Sequence, residues 1–187
     1  QGQMQTPTLL LGPTTQDLGD AAKYVFQFGL PPEQEAAQSA ERAYLDGYRH
    51  AAVLYPDTAW GQRMSAAFSS AWQRLGGIVL TAQAYPPEQG DYSDTIKNLL
   101  NITQSEARKD RIEKIAGQKL QFDSRARQDI DYIFIATDAK HGRLIKPQLN
   151  FYHAARVPVY STSHIFTGAG YAVQDVDLDG IVFGDMP

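Results

Sequence analysis

Short apolar runs alternate along this chain with longer segments in which apolar residues recur every three or four positions. The clearest case is Ala51-Ala-Val-Leu-Tyr55, which is followed by a turn at Pro56-Asp57 and by an apolar series from Trp60 to Leu75. A short apolar run is typical of a buried strand, and intervals of three or four place side chains on one face of a helix. Strands that alternate with helices of this length need crossover connections, which predict a mainly parallel sheet with helices on both faces.

The same order recurs from residue 31 to residue 184, with glycines at Gly47 and at Gly76-Gly77 where periodic segments end. A chain of 187 residues is long enough to bury roughly 70% of its unfolded surface in one core. The pattern therefore predicts one α/β lobe with a sheet of about five strands. The expected strands are centred on Val53, Val79, Ile133, Val159 and Val182. The expected helices lie at 31–47, 60–75, 92–101 and 144–155, and shorter extended segments at 8–11 and 24–30 precede them.

Composition excludes several classes of function. The net charge is −4, so no broad cationic surface is expected for a nucleic acid. No apolar run approaches the roughly 20 residues of a membrane span, and the first residues lack the features of a signal peptide. The absence of cysteine removes thiol catalysis, disulfides and thiolate metal sites.

A ligand site is expected at the carboxyl ends of the strands, because open parallel sheets bind ligands there. The turn after Tyr55 contains no glycine-rich phosphate loop, which disfavours a nucleotide. Asp57 is expected to cap the following helix. Trp60 is either a core anchor, which is the favoured reading, or part of the cleft lining. The residues expected to face the cleft are Tyr55, Asp57, Trp60, Thr137, Asp138, Ser161, Ser163 and His164.

Some of these residue types could in principle form a serine nucleophile with its base and orienting acid. Asp138, His141 and His164 lie near Ser161 and Ser163 in the expected cleft. No GxSxG turn presents either serine, so we predict that the chain is not an enzyme. The four histidines form no HExxH or other close pair, so no metal and no cofactor are expected.

Charged residues are concentrated between Gln104 and Arg127, a segment predicted to be a helical insertion. Two alternatives remain open. A basic helix could steer an acidic partner, or its bases could pair with Glu106, Asp110 and Glu113 on a solvated surface. The arginines at its end, Arg125 and Arg127, are expected to pair with Asp129 and Asp131, or to bond carbonyls, and so to fix the entry of the next strand. The alternative is direct contact with a partner. The candidate partner contacts are Arg108, Arg111, Lys114, Arg125 and Arg127.

Five segments in order resemble the LppC (YraM, LpoA) family of bacterial outer-membrane lipoproteins. They are Phe28-Gly-Leu-Pro-Pro-Glu-Gln-Glu-Ala36, Arg125-Ala-Arg-Gln-Asp-Ile-Asp-Tyr-Ile-Phe-Ile-Ala136, Lys146-Pro-Gln-Leu149, Pro158-Val-Tyr-Ser-Thr-Ser163 and Asp177-Leu-Asp-Gly-Ile181. The Tyr55–Gly61 turn, the helix after it and Gly76-Gly-Ile-Val79 are more loosely similar to the second lobe of type I periplasmic binding proteins.

The resemblance implies a periplasmic protein at the inner face of the outer membrane, which binds a class A penicillin-binding protein and stimulates peptidoglycan crosslinking without being an enzyme. It implies contact with a membrane only through a lipid anchor, which this sequence lacks, as it lacks a helical-repeat domain and most of the first lobe. The alternative is a lobe that senses a small periplasmic ligand. The implied division is 1–30 for the remnant of the first lobe with a crossing strand, 31–183 for the second lobe with a charged insertion at 101–130, and 184–187 for the return strand.

Overall fold

The computed structural model describes residues 6–10, 19–27, 31–119, 126–168 and 175–184. Its centre is a five-stranded sheet in which every neighbouring pair is parallel. The strands are β3 (His50–Pro56), β4 (Ile78–Tyr85), β5 (Tyr132–Ile135), β6 (Val159–Ser161) and β7 (Ile181–Phe183), in the spatial order β4-β3-β5-β6-β7. Two earlier strands, β1 (Thr8–Leu10) and β2 (Val25–Gln27), pair with each other in a separate parallel sheet.

The helices cover both faces of the main sheet, as the sequence predicts. They are α1 (Pro32–Leu45), α2 (Ala59–Arg74), α3 (Ser93–Leu99), α4 (Ile102–Ala116) and α5 (Ala139–Leu149). Because successive side chains of a strand point to opposite faces, β5 gives Phe134 to the α1–α2 side and Ile135 to the α3–α5 side. The Phe68 ring stacks on Phe134 with centroids 4.3 Å apart. Burial on both faces explains why the central strand β5 is apolar throughout.

Two of the expected helices differ from the structure at their ends. The segment expected at 92–101 is α3, which ends at Leu99, and the backbone of Asn101 then turns into the left-handed region with φ 59° before α4 begins. This turn changes the direction of the chain, so the charged insertion is a helix of its own that starts at Ile102. The helix expected at 144–155 already begins at Ala139, where Asp138 caps it.

The predicted division into lobes falls partly outside the described residues. Of the two expected crossing strands, residues 28–30 and 185–187 lie outside them. The boundaries at 30 and 184 therefore stay predictions. Among the helices of the described ranges, none has the length and apolar character needed to cross a membrane.

Candidate functional site

The carboxyl ends of three neighbouring strands surround a cavity of about 360 Å³. It lies where β3, β4 and β5 end and where the loop after β6 returns to the sheet. Three of the residues predicted for the cleft line it, namely Trp60, Asp138 and His164. The other lining residues are Pro56, Thr58, Tyr85, Pro87 and His141. The cavity thus lies where the sequence predicts a ligand site. Only three of the eight residues predicted to face the cleft line it.

The turn between β3 and α2 is fixed by its own backbone. The expectation that Asp57 caps α2 is wrong, because Thr58 accepts the hydrogen bond from the N–H of Gly61 at 3.1 Å. The N–H of Asp57 still pairs with the carbonyl of Tyr85 on β4, so the chain leaves the sheet one residue later than expected. A Cβ at Gly61 would lie 2.1 Å from the carbonyl oxygen of Pro56. The glycine therefore serves close packing of the helix on the strand.

Trp60 combines the two alternatives that its sequence position allows. Its side chain packs against the core on the α1–α2 side of the sheet and is partly buried. The same ring lines the cavity beside His164, with ring centroids 5.2 Å apart. The indole is thus both a core anchor and part of the cavity wall.

A tyrosine that the sequence analysis did not single out closes the floor of the cavity. Tyr85 is the last residue of β4, and its hydroxyl donates to the Oγ1 of Thr137 at 2.9 Å. Burial raises the pKa of the Tyr85 hydroxyl, which keeps it protonated and able to donate. Its position at the carboxyl end of a predicted strand could have identified Tyr85 as a cleft residue. Thr137, one of the predicted cleft residues, is fully buried under this contact.

Asp138 and His141 form a second closed contact at the entrance. Asp138 caps α5 by accepting from the N–H of His141 at 2.9 Å, and its Oδ1 lies 2.6 Å from the His141 Nδ1. The His141 Nε2 lies 3.0 Å from the carbonyl oxygen of Pro87. Each ring nitrogen of His141 thus lies within hydrogen-bonding distance of an oxygen from a different segment. The pair ties the start of α5 to the loop after β4.

The two serines are engaged inside the fold. Ser161 donates its hydroxyl to the carbonyl of Ile135 at 2.7 Å and is buried. Ser163 donates both its N–H and its hydroxyl to Glu35 Oε2, at 2.9 and 2.8 Å. Neither hydroxyl is bonded to a histidine in the described ranges, so the arrangement needed for a serine nucleophile does not form there. Glu35 lies in the first turn of α1, and nothing in the sequence marks it as a partner of Ser163.

The remaining predicted cleft positions contribute less to the cavity. Tyr55 is half-buried and packs against the α1–α2 side of the core, while Asp57 is exposed. Neither belongs to the cavity lining. In the described part of the chain, no group of three or more histidine, aspartate or glutamate side chains is arranged to hold a metal ion.

The charged insertion forms the projecting helix α4. Ile102 is its single buried residue, and Arg108, Arg111 and Lys114 are exposed. On its inner side Glu106 lies 3.7 Å from Lys97 of α3, and Lys109 lies 3.8 Å from Glu113. Some of the predicted pairing within the insertion is thus present, and it leaves the three exposed bases facing solvent.

The two arginines at the end of the insertion differ in what can be described. Arg127 holds Asp129 through two hydrogen bonds of 2.7 Å, as predicted, and this contact holds the pKa of Asp129 below its usual range. Arg125 lies outside the described residues. Asp131 instead accepts the N–H groups of Arg49 and His50, which fixes the entries of β3 and β5.

Comparison with known proteins decides the family. A family model described as "LppC putative lipoprotein" matches residues 1–187. The chain belongs to the LppC family. Curated relatives of this LppC chain include a protein named penicillin-binding protein activator LpoA from Vibrio cholerae, 30% identical over 191 residues. The protein of the same name from Photobacterium profundum is 30% identical over 164 residues and matches 86% of the chain. The LppC chain spans 30% and 26% of the lengths of these two relatives.

Solved structures support the same fold. The C-domain of LpoA (YraM) from Haemophilus influenzae, described as a regulator of PBP1A, matches 94% of the LppC chain with a TM-score of 0.57 and 19% identity, over 46% of its own length. A solute-binding protein of an ABC transporter from R. palustris, solved with benzoate, matches 84% of the chain and 36% of its own, with a TM-score of 0.59 and 12% identity. At such identities the likeness concerns the fold, which is that of periplasmic-binding-protein-like lobes.

Proposed function

We propose that this lobe is a non-enzymatic module of an outer-membrane lipoprotein that binds and activates a class A penicillin-binding protein in peptidoglycan synthesis. The observation that carries the proposal is the match of the whole chain to the LppC family together with relatives named penicillin-binding protein activator. The full-length protein would act in the periplasm at the inner face of the outer membrane, held there by a lipid anchor. The strand-end serines support a non-enzymatic role, because their hydroxyls are committed to Ile135 and Glu35.

Helix α4 is the part of the lobe best suited to meet the synthase. Its outward positions follow the spacing of Gln104, Arg108, Arg111 and Ile115, which places them on one face of a helix. The acid Asp110 points about 200° away from Arg108 at 100° per residue, and Glu106 and Glu113 are half-buried on the inner side. The outward face is therefore basic with an exposed isoleucine. Such a face raises the association rate with an acidic patch more than it raises affinity.

The test is a binding measurement with a purified class A penicillin-binding protein, using the full-length lipoprotein and the lobe alone. Arg108→Glu, Arg111→Glu and Lys114→Glu are combined on α4, and Arg74→Glu at the exposed end of α2 is the matched control. We expect the triple variant to slow association about tenfold at low salt and to reduce its salt dependence. The control should behave as the unmodified protein.

Two results would separate the parts of this proposal. If the full-length lipoprotein binds no class A synthase, the proposed function is wrong. If it binds and the triple variant changes neither the rate nor the salt dependence, only the role of α4 fails.

A second candidate function, the binding of a small periplasmic ligand, is favoured by the strand-end cavity. Its volume of about 360 Å³ is within the range of small-molecule sites, and Trp60 and His164 line it with aromatic surface. Calorimetry of the two-lobed protein with cell-wall muropeptides tests this function. Saturable micromolar heat that Trp60→Ala removes would support it, and the absence of heat would exclude it for these ligands.

A further inference from the structure

The strand-end cavity is rich in hydrogen-bond acceptors and poor in donors. Two of its lining residues, Pro56 and Pro87, have no N–H group. Tyr85 donates its hydroxyl inside the fold, so that donor is already used. The two ring nitrogens of His141 lie against oxygens of Asp138 and Pro87. A ligand in this cavity therefore meets few groups that could donate a hydrogen bond to it.

Asp138 supplies the cavity with a carboxylate oxygen that has no partner. Its Oδ1 lies within hydrogen-bonding distance of the N–H and the Nδ1 of His141, whereas its Oδ2 makes no hydrogen bond in the described ranges. The side chain is 54% exposed, so a ligand can reach it. Among the described residues that line the cavity, none is a lysine or an arginine. With histidine neutral, Asp138 carries the only formal charge of this described lining.

The N-termini of α2 and α5 also lie at this edge, and a free helix N-terminus favours an anion. Here each is already capped, because Thr58 accepts from the N–H of Gly61 and Asp138 accepts from the N–H of His141. At α5 the cap is itself a carboxylate, and its full negative charge exceeds the roughly half positive charge of a helix end. The helix ends therefore do not turn the cavity into an anion site.

Aromatic rings form much of the cavity wall. The indole of Trp60 lies beside the ring of His164, with centroids 5.2 Å apart and planes inclined by 50°. Tyr85 adds a third ring to the lining. The negative face of an aromatic ring attracts a cation, and indole does so most strongly. Aromatic walls beside a carboxylate suit an ammonium group.

We propose that the strand-end cavity binds the ammonium group of a small organic amine and discriminates against carboxylates. An ammonium group has three donors and no acceptor, which matches a cavity of acceptors with a free Asp138 Oδ2. A carboxylate would meet no lysine or arginine in the described lining and would face the charge of Asp138. This class of ligand rests on the second candidate function, the binding of a small ligand, and is independent of the synthase.

The site is tested with the 187-residue chain and three probes of similar shape, namely benzylamine, benzyl alcohol and benzoate. The readout is the shift of the Trp60 indole N–H signal in a titration at pH 7, with buried Trp72, whose indole donates to Ile78, as the internal reference. We expect benzylamine to bind saturably with a dissociation constant on the order of millimolar. Benzyl alcohol should bind about tenfold more weakly, and benzoate should not saturate.

Asp138→Asn isolates the charge, because asparagine caps a helix as well as aspartate does. It should weaken benzylamine about tenfold and leave benzyl alcohol unchanged. Asp57→Asn is the matched control, since Asp57 is an exposed acid at the same edge of the sheet but outside the cavity lining. It should leave the affinity for both probes unchanged.

Equal affinities for the three probes, or a benzylamine affinity that Asp138→Asn leaves unchanged, overturn the ammonium site. Binding of none of the probes also overturns it, while the muropeptide calorimetry described above still decides whether the cavity takes a ligand of another class. Selective binding of benzylamine that Asp138→Asn weakens supports the site. If muropeptides then give no heat, the second candidate function fails for those ligands and the ammonium site stands.

Discussion

The strand-end edge of the sheet and helix α4 are both rich in polar side chains, but they use them in opposite ways. At the edge, Thr137, Asp138 and Ser163 each hold a hydrogen-bond partner that comes from another element or caps a helix. On α4, Arg108 and Arg111 project from a helix with a single buried residue. The polar groups at the edge therefore stabilise the lobe, while those of α4 remain exposed to solvent.

The difference teaches where function should be sought in this lobe. When a polar group that is hydrogen-bonded inside the fold is removed, the folded protein loses stability, because the partner of that group is left without a hydrogen bond. A polar group on a projecting helix can be changed at little cost to folding, so its effect appears in binding. Substitutions in the two regions should therefore separate stability from partner association.

The largest effect is expected in the core between α2 and the sheet, which supports the edge. Phe68→Ala removes a fully buried ring that stacks on Phe134, and it should lower the free energy of unfolding by about 3 to 5 kcal/mol. Ile115→Ala on α4, where the side chain is 81% exposed, should change it by less than about 0.5 kcal/mol. Urea denaturation measures both. Similar losses in the two variants would mean that α4 is packed as tightly as the core.

The next effect concerns the corner between β3 and α2. Gly61→Ala places a Cβ against the carbonyl of Pro56, and overpacking of this kind should cost about 2 kcal/mol. Gly90→Ala is the matched control, because a Cβ there meets nothing within 4 Å. It should be neutral or slightly stabilising, since alanine restricts the unfolded chain. Thermal unfolding of both variants decides the matter, and an unchanged melting temperature for Gly61→Ala would contradict the close packing.

A smaller effect is expected at the link between α1 and the loop after β6. Glu35→Gln removes the charge that accepts two hydrogen bonds from Ser163, and it should cost about 1 to 2 kcal/mol. Glu41→Gln, an exposed acid on the same helix, should cost less than about 0.5 kcal/mol. If both variants unfold at the same denaturant concentration, the charge of Glu35 adds nothing to stability.

The smallest effect is a dependence on pH at the opposite end of the strands. Burial by itself raises the pKa of Asp131, but the N–H donors of Arg49 and His50 outweigh burial and hold that pKa below its usual range. A lowered pKa stabilises the fold above the unfolded value of about 4, and this stabilisation is lost as the pH falls through the folded value.

Asp131→Asn should therefore cost about 1 kcal/mol at pH 7, a modest figure because the side chain is 37% exposed. The difference in the free energy of unfolding between this variant and the unmodified protein should disappear as the pH falls below about 4. Denaturation at several pH values measures it, with Asp110→Asn on α4 as the control. A difference that stays constant with pH would show that the carboxylate charge does not contribute to stability.

Much of the fold could be predicted because it depends on local pattern. The five strand centres all lie in the observed strands, since continuously apolar runs between periodic helices leave few alternatives to a parallel sheet. The place of the cavity followed from the same rule about strand ends. The hydrogen-bond partners of the strand-end residues did not follow from it. Glu35 and Ser163 are 128 positions apart, and no spacing in the sequence links them.

Sequence alone thus determined the class of fold, the order of its elements, the charged insertion and the family, because hydrophobic period, glycine stops and segment order are properties of the chain read in one direction. Tertiary structure decided that Thr58 and not Asp57 caps α2, that Tyr85 closes on Thr137, and that Phe151 stands exposed. These outcomes depend on which element packs beside which. Which groups form a hydrogen bond and which ring stays exposed is determined only when segments distant in the sequence pack against each other.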